Sequence, residues 1–244
     1  MGILCESFRA SRDVSEFVTV DVDESTRRGP HRSWRRGRAS QRSTSFVPRL
    51  ASLLTVSPTS IHSVRLTLVR HGQTDWNAAR LVQGQSDESR LTERGEEEAR
   101  EVARSLAGRH FDHVVSSDLE RALATASIIA EELALAVVDS PLLRERSFGV
   151  LEGLPSTHLV SDATGIVGNT MTDPDARPMG GESFRDVVQR ADTFIEFVDC
   201  SWPGSQLLVV THGGMIRALL ASWTGDALTD SAWGPVENCS VWAL

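Results

Sequence analysis

Two places in the chain set an imidazole at the end of a run of strand-forming residues. "LTLVRHGQTDWN" (66–77) stops in Arg70-His71-Gly72, and "SQLLVVTHGG" (205–214) stops in Thr211-His212-Gly213-Gly214. A third junction, "VVSSDLERALATA" (114–126), carries Arg121 at the start of a helical pattern. A guanidinium fork grips two phosphate oxygens at once. A neutral imidazole, with an ordinary pKa of about 6.5, is a competent nucleophile near neutral pH. A cation is disfavoured at a helix N-terminus, so Arg121 at such a place points to an anion that it binds. The glycines after each histidine let main-chain N–H groups approach a ligand closely. A helix expected after each turn adds partial positive charge. Together these residues describe a pocket for a dianionic phosphoryl group. A departing alkoxide also needs a proton, and "LLRERSFGVLEG" (142–153) offers two donors, Glu145 and Glu152. The residues alone do not separate them. Each piece has an ordinary structural explanation when taken singly; their joint occurrence at successive strand-to-helix junctions carries the functional reading.

The elements that must position these groups follow from periodicity. "VRLTLV" alternates β-branched residues as a strand does. "LTERGEEEAREVARSLAGR" (91–109) puts Ala99, Val102, Ala103 and Leu106 on one helical face behind Thr92 as N-cap. "FDHVVSS" predicts a short strand. "DLERALATASIIAEEL" predicts a second helix with Leu119, Leu123, Ala126 and Ile129 inward, and "GESFRDVVQRADTFIEFVD" a third. "SQLLVVTH" is almost unbroken in its apolar character, as expected of a strand buried on both faces. "GGMIRALLASW" continues as a helix and "NCSVWAL" closes with a strand. Alternating strands and helices predict an α/β fold with a largely parallel sheet covered on both sides. In such sheets ligands bind beyond the carboxyl ends of the strands, which places both histidines at one crevice.

The chain has 244 residues and a formal net charge of -8, unevenly spread. Residues 1–64 hold ten Arg against six Asp and Glu, leaving 15 Arg against 27 acids in the rest. There is no lysine, so every fixed cation is a guanidinium. Residues 1–60 contain "STRRGPHRSWRRGRASQRSTS", an Arg- and Ser-rich stretch without sustained periodicity. We expect a disordered extension there, or a start of translation nearer Val64, ahead of a domain spanning 61–244. Nucleic-acid binding by this arm is not expected. The cysteines, Cys5, Cys200 and Cys239, are scattered without metal-ligand or disulfide spacing. No apolar run approaches the roughly 20 residues of a membrane span. These features predict a cytoplasmic protein with no membrane association, no metal and no cofactor.

The core resembles the histidine phosphatase superfamily, with its phosphoglycerate mutase-like fold, in the bacterial broad-specificity phosphatase branch. The resemblance runs from Val64 to Leu244 and rests on "LVRHGQTDWN", "LVQG", "SSDLERALATA", "LRERSFGVLEG", "GGESF" and "VVTHGG", in the family's order. It implies a three-layer α/β/α sandwich and a phosphomonoester hydrolase acting on a small phosphorylated metabolite. It implies that His71 becomes transiently phosphorylated, that Arg70, Arg121 and His212 clamp the phosphate, and that Glu145 is the proton donor. Asn77 and Gln83 match pocket-lining polar residues, and Glu152 is left a supporting role. Thr74 and the Gly213 main chain are expected to add donors to the substrate, as is the Gln73 main chain. The family needs no metal for this chemistry. The turn "QGQSDESRLT" is one residue longer than usual, and Leu151 stands where an aromatic is common. The segment 156–179 is the expected lid. Phosphoglycerate mutase is the alternative activity, although the interval from Glu145 to His212 is only 67 residues and poor in basic residues. A non-catalytic phospholigand-binding module is a further alternative on the same fold.

Overall fold

The computed structural model describes residues 62–159, 173–225 and 234–244. The N-terminal arm and most of the expected lid lie outside the described residues. The elements run β1 (Arg65–Arg70), α1 (Asp75–Ala78), α2 (Glu93–Leu106), β2 (His113–Ser117), α3 (Glu120–Leu133), β3 (Val137–Ser140), α4 (Phe184–Ser201), β4 (Gln206–Thr211), α5 (Gly213–Thr224) and β5 (Val241–Ala243). Single turns of 3-10 helix fill Pro141–Leu143, Gly149–Leu151 and Ser156–Leu159. One five-stranded sheet has the order β3-β2-β4-β1-β5. Its pairings are parallel except β1 with β5, which is antiparallel.

The central strand β4 explains the three layers. Leu207 and Val209 join Leu66 and Leu68 in a core roofed by Phe184, Phe194 and Val198 of α4 and Ile216 and Leu219 of α5. Leu208 and Val210 point the other way, with Val69 and Val114, onto Val102 and Leu106 of α2 and Ala126 and Ile129 of α3. Side chains alternate across a strand, so one unbroken apolar run supplies both cores. Leu123 is only half buried; Ala122 takes the inward place beside Ala126. The strand Val137–Ser140 is not among the sequence expectations: four residues with burial on neither face leave no periodic signal.

The helix starts divide into two kinds. Thr92 caps α2 by accepting from Gly95 N at 3.1 Å, and Ser183 caps α4 in a reciprocal box with Asp186. The starts of α3 and α5 have no side-chain cap of their own. Each borrows a carboxylate from elsewhere: Asp87 accepts from Glu120 N at 2.8 Å and Glu145 from Gly214 N at 3.1 Å. Those are the two helices whose first turns follow β2 and β4. Among the described residues no helix is long and apolar enough to cross a membrane.

Candidate active site

At the carboxyl ends of β1, β2 and β4 the chain gathers the two histidines and two of the arginines. The His71 and His212 rings lie 5.2 Å apart, centroid to centroid, nearly edge to face. Both are buried, as is Arg121. His71 Nδ1 lies 2.8 Å from the Gly72 carbonyl oxygen. A carbonyl can only accept, so the proton sits on Nδ1 and the lone pair of the neutral ring on Nε2. Burial, and then the charges of Arg70 and Arg121, hold the His71 pKa well below the ordinary histidine value. Burial, and then Arg121, do the same to His212. Both rings are therefore neutral at pH 7.

The His212 Nε2 is 2.9 Å from the Ser117 hydroxyl, the last residue of β2. That hydroxyl already accepts from Leu119 N at 3.3 Å. The hydroxyl keeps its own proton and a second lone pair, so it pairs with His212 Nε2 in either tautomer of the ring. His212 Nδ1 has no partner. Arg70 donates to Val236 O at 2.6 Å, and Arg121 donates to Gly84 O at 2.7 Å and Ser86 O at 2.9 Å. The Nε of each is buried without a partner. Two buried guanidinium donors and a buried ring nitrogen thus stand unmet at three adjacent strand ends. A buried donor without an acceptor costs about 1–3 kcal/mol, more when charged, and an anion would remove that cost. Burial pushes the Arg121 guanidinium down to about 10, so it stays cationic at neutral pH.

The loop after β1 is fixed by close approach. A Cβ on Gly72 would collide with the Gly95 carbonyl, and one on Gly95 would collide with the Gln73 main chain. Two glycines therefore let the loop carrying His71 lie directly on the first turn of α2. Asn238 donates to His71 O at 2.9 Å from the segment before β5, a contact with no signal in the sequence.

The expected donors nearby are committed elsewhere. The helix after this loop, α1, is a single turn of four residues. Thr74 caps it: the hydroxyl and main-chain N–H both donate to Asn77 Oδ1, which also accepts from Asn238 at 3.1 Å. Gln73 N donates to Glu98 at 2.9 Å. Thr74 and the Gln73 main chain are thus bonded within the protein, and Asn77 has only its amide nitrogen to offer outward. The Gln83 amide oxygen accepts from Ser89 at 2.9 Å. A Cβ on Gly213 would lie 3.8 Å from Arg70 Nε, so this main chain passes beside one unmet donor.

The two candidate acids separate clearly. Glu145 Oε1 accepts from Arg146 N at 2.8 Å and Oε2 from Gly214 N, two residues past His212. Its charge reaches both Arg70 and Arg121. Glu152 Oε1 instead accepts from Gln85 N at 3.0 Å, Phe148 N at 2.9 Å and Ser147 Oγ at 3.3 Å, tying two loops together. Glu145 is tied to the start of α5 beside His212, and Glu152, whose charge also reaches Arg121, to the loops at Gln85 and Phe148.

This fold and crevice place the chain in the histidine phosphatase superfamily (branch 1), whose family model matches residues 66–244. The chain is 36% identical over 182 residues to the probable phosphoglycerate mutase GpmB of Cronobacter sakazakii, covering 73% of this chain and 83% of that protein. It is similar in structure to a mycobacterial glucosyl-3-phosphoglycerate phosphatase in complex with VO3: TM-score 0.67, 35% identity, 72% of this chain and 90% of that one. A putative alpha-ribazole-5'-P phosphatase from Escherichia coli matches with TM-score 0.61 and 33% identity, over 68% of this chain and 82% of that one.

Proposed function

We propose that the protein is a phosphomonoesterase that hydrolyses a small phosphorylated metabolite through a phosphohistidine on His71. The observation that carries this reading is the set of three unmet buried nitrogens, Arg70 Nε, Arg121 Nε and His212 Nδ1, around a neutral His71. His71 Nε2 attacks phosphorus in line while Glu145 protonates the departing oxygen. Water then attacks the phosphohistidine with Glu145 as base, and inorganic phosphate leaves. Arg70, Arg121 and His212 offset charge on the equatorial oxygens, the larger part of catalysis in phosphoryl transfer. Because two guanidiniums and an imidazole do this, the reaction is expected to proceed without a metal. Gly213 N–H and the Gln83 and Asn77 side chains are assigned to the rim of the phosphate pocket.

Phosphatases among the structural relatives support hydrolysis, and one of them was solved with VO3, an ion that can stand in for a phosphoryl group. The name of the GpmB relatives favours the second reading, phosphoglycerate mutase. Among the described residues Cys200 and Cys239 form no disulfide, which suits a reducing, cytoplasmic setting. The test is hydrolysis of 4-nitrophenyl phosphate in EDTA at about pH 6, wild type beside His71→Ala, with the acid-labile phosphoenzyme trapped by rapid quench. Turnover in the wild type, its loss in the variant and label on His71 are expected. Turnover abolished by EDTA and restored by a metal would sink the metal-free mechanism. Isomerisation of 3-phosphoglycerate outpacing its hydrolysis would establish the mutase instead.

A further inference from the structure

Outside the crevice the most heavily bonded side chain is Arg190, on α4. A guanidinium has five N–H donors, and Arg190 uses all of them. Nη1 donates to Leu142 O at 2.9 Å and to Arg144 O at 2.8 Å; Nη2 donates to Glu145 O at 3.2 Å. Nε and Nη2 also form a fork on Glu182, at 3.0 and 2.9 Å. Three main-chain carbonyls within four residues, including that of Glu145 itself, hang on one side chain from another layer of the molecule.

Glu182 and Gln85 close the arrangement. Glu182 Oε2 accepts from Ser147 N at 2.8 Å and from Gln85 Nε2 at 3.2 Å. Gln85 Nε2 donates as well to Glu145 O at 3.0 Å. The Glu145 carboxylate is held by Arg146 N from its own segment and by Gly214 N from α5. Its place beside Gly214, two residues past His212, therefore depends on where the main chain at 144–146 lies relative to α5. Arg190 and Glu182 are what fix that main chain to α4, which packs on α5 in one core.

We infer that Arg190, with Glu182 and Gln85, is a positioning residue for proton transfer: it sets the Glu145 carboxylate at the distance a leaving oxygen requires, without touching the substrate. None of its N–H groups is left for a phosphate oxygen, so it is not part of the clamp. This inference rests on the proposed role of Glu145 as the acid. Displacement of a catalytic group by about 1 Å can cost on the order of 100-fold, so a loose support is enough to matter. The loss falls where a proton is needed: an alkoxide leaving group requires it and a nitrophenolate scarcely does.

The test compares 4-nitrophenyl phosphate with glycerol 2-phosphate in wild type, Arg190→Lys, Glu182→Gln and Gln85→Ala, with unfolding midpoints recorded for each. Lys keeps the charge but cannot bridge three carbonyls and a carboxylate. For Arg190→Lys, kcat/KM on glycerol 2-phosphate, which reports only steps up to loss of the alcohol, should fall about 10- to 100-fold, while kcat/KM on the aryl ester falls no more than about threefold. Glu182→Gln should move the same ratio in the same direction, and Gln85→Ala by several-fold. Equal losses on both esters, or none on either, in an active enzyme overturn the positioning role. If Arg190→Lys does not fold, Gln85→Ala decides, because it removes only the Nε2 donations; an unchanged alkyl-to-aryl ratio there overturns the inference. A wild type that turns over neither ester removes the proposed function itself, and the inference with it, before any variant is read.

Discussion

Two clusters of buried or half-buried arginine sit within one molecule and are treated in opposite ways. At the strand ends, Arg70, Arg121 and His212 each retain a buried nitrogen with nothing to bond. Around α4, Arg190 spends every N–H it has on the protein. The segment carrying Glu145 is held by further arginines on both flanks. Arg144 forks onto Asp118 at 2.8 and 2.5 Å, and Arg146 donates to Glu182 O and Ala176 O, both at 2.9 Å. Guanidinium groups whose buried nitrogens are all met hold the scaffold, while buried nitrogens left unmet mark where a ligand completes the structure. The difference gives a rule for this chain: a cost left uncovered in the fold marks the place of the chemistry.

The sharpest way to test that contrast is to remove the proposed nucleophile. His71→Ala should lower turnover of an aryl phosphate by about 10^5-fold or more while leaving the thermal midpoint close to wild type. Arg121→Met should cost about 100- to 1,000-fold in kcat/KM. It should also abolish the rise in thermal midpoint that phosphate or vanadate gives the wild type. Arg121→Met that loses stability and keeps activity would erase the distinction between the two clusters. Gly214→Ala probes the boundary between them. Its Cβ would land on the Glu145 carboxylate, a mobile side-chain end, in the first turn of a helix where alanine is favoured. The variant should fold as well as wild type and lose alkyl phosphate turnover about tenfold more than aryl turnover.

A pH experiment separates the clusters without mutating the scaffold. The folded-state pKa values of His71 and His212 are lowered, so the unfolded chain takes up protons below about pH 6.5 that the folded chain does not. Stability is therefore lost as pH falls from 6.5 toward the lowered folded values, by up to about 1.4 kcal/mol per pH unit for each histidine. Thermal midpoints between pH 7 and 5 should flatten in the double variant His71→Ala, His212→Asn; an unchanged slope would show that other groups set it. The smallest effect belongs to the cap of α2. Thr92→Ala should cost about 1 kcal/mol in denaturant unfolding and change kcat little, although Thr92 also donates to Gln73 Oε1 at 3.1 Å beside the crevice loop.

The sequence made the crevice legible because the chemistry there is local in the chain. Arg70 and His71 are adjacent, His212 abuts Gly213, and each pair terminates an apolar run that any strand pattern exposes. Thr92, the inward face of α2 and the two-sided β4 were equally plain, since period and capping residues announce them. What escaped is what tertiary contacts decide. Nothing local says that the Thr74 hydroxyl turns back to Asn77, that Asp87 serves α3 from 33 residues away, or that Asn238 reaches His71 across 167 residues. Arg190 was visible as one basic residue among several; only the structure shows the three carbonyls that meet on it. Glu145 and Glu152, seven residues apart and alike in sequence, part ways through Gly214 N on one side and the Gln85 loop on the other.

The order of synthesis gives β5 and the turn before it a further role. Val236 O receives Arg70, Asn238 braces the His71 carbonyl, and Leu66 and Leu244 exchange both main-chain hydrogen bonds at 3.0 and 2.8 Å. All of these partners are made by the ribosome after the histidines, the arginines and the acid they support. β1 likewise waits for β4, whose first residue, Gln206, pairs with Arg65. A chain still emerging thus holds every reactive group and none of the geometry, and such long-range pairing is slow to form. Closing of the crevice is therefore among the last events of folding, set by when β4 and β5 reach β1.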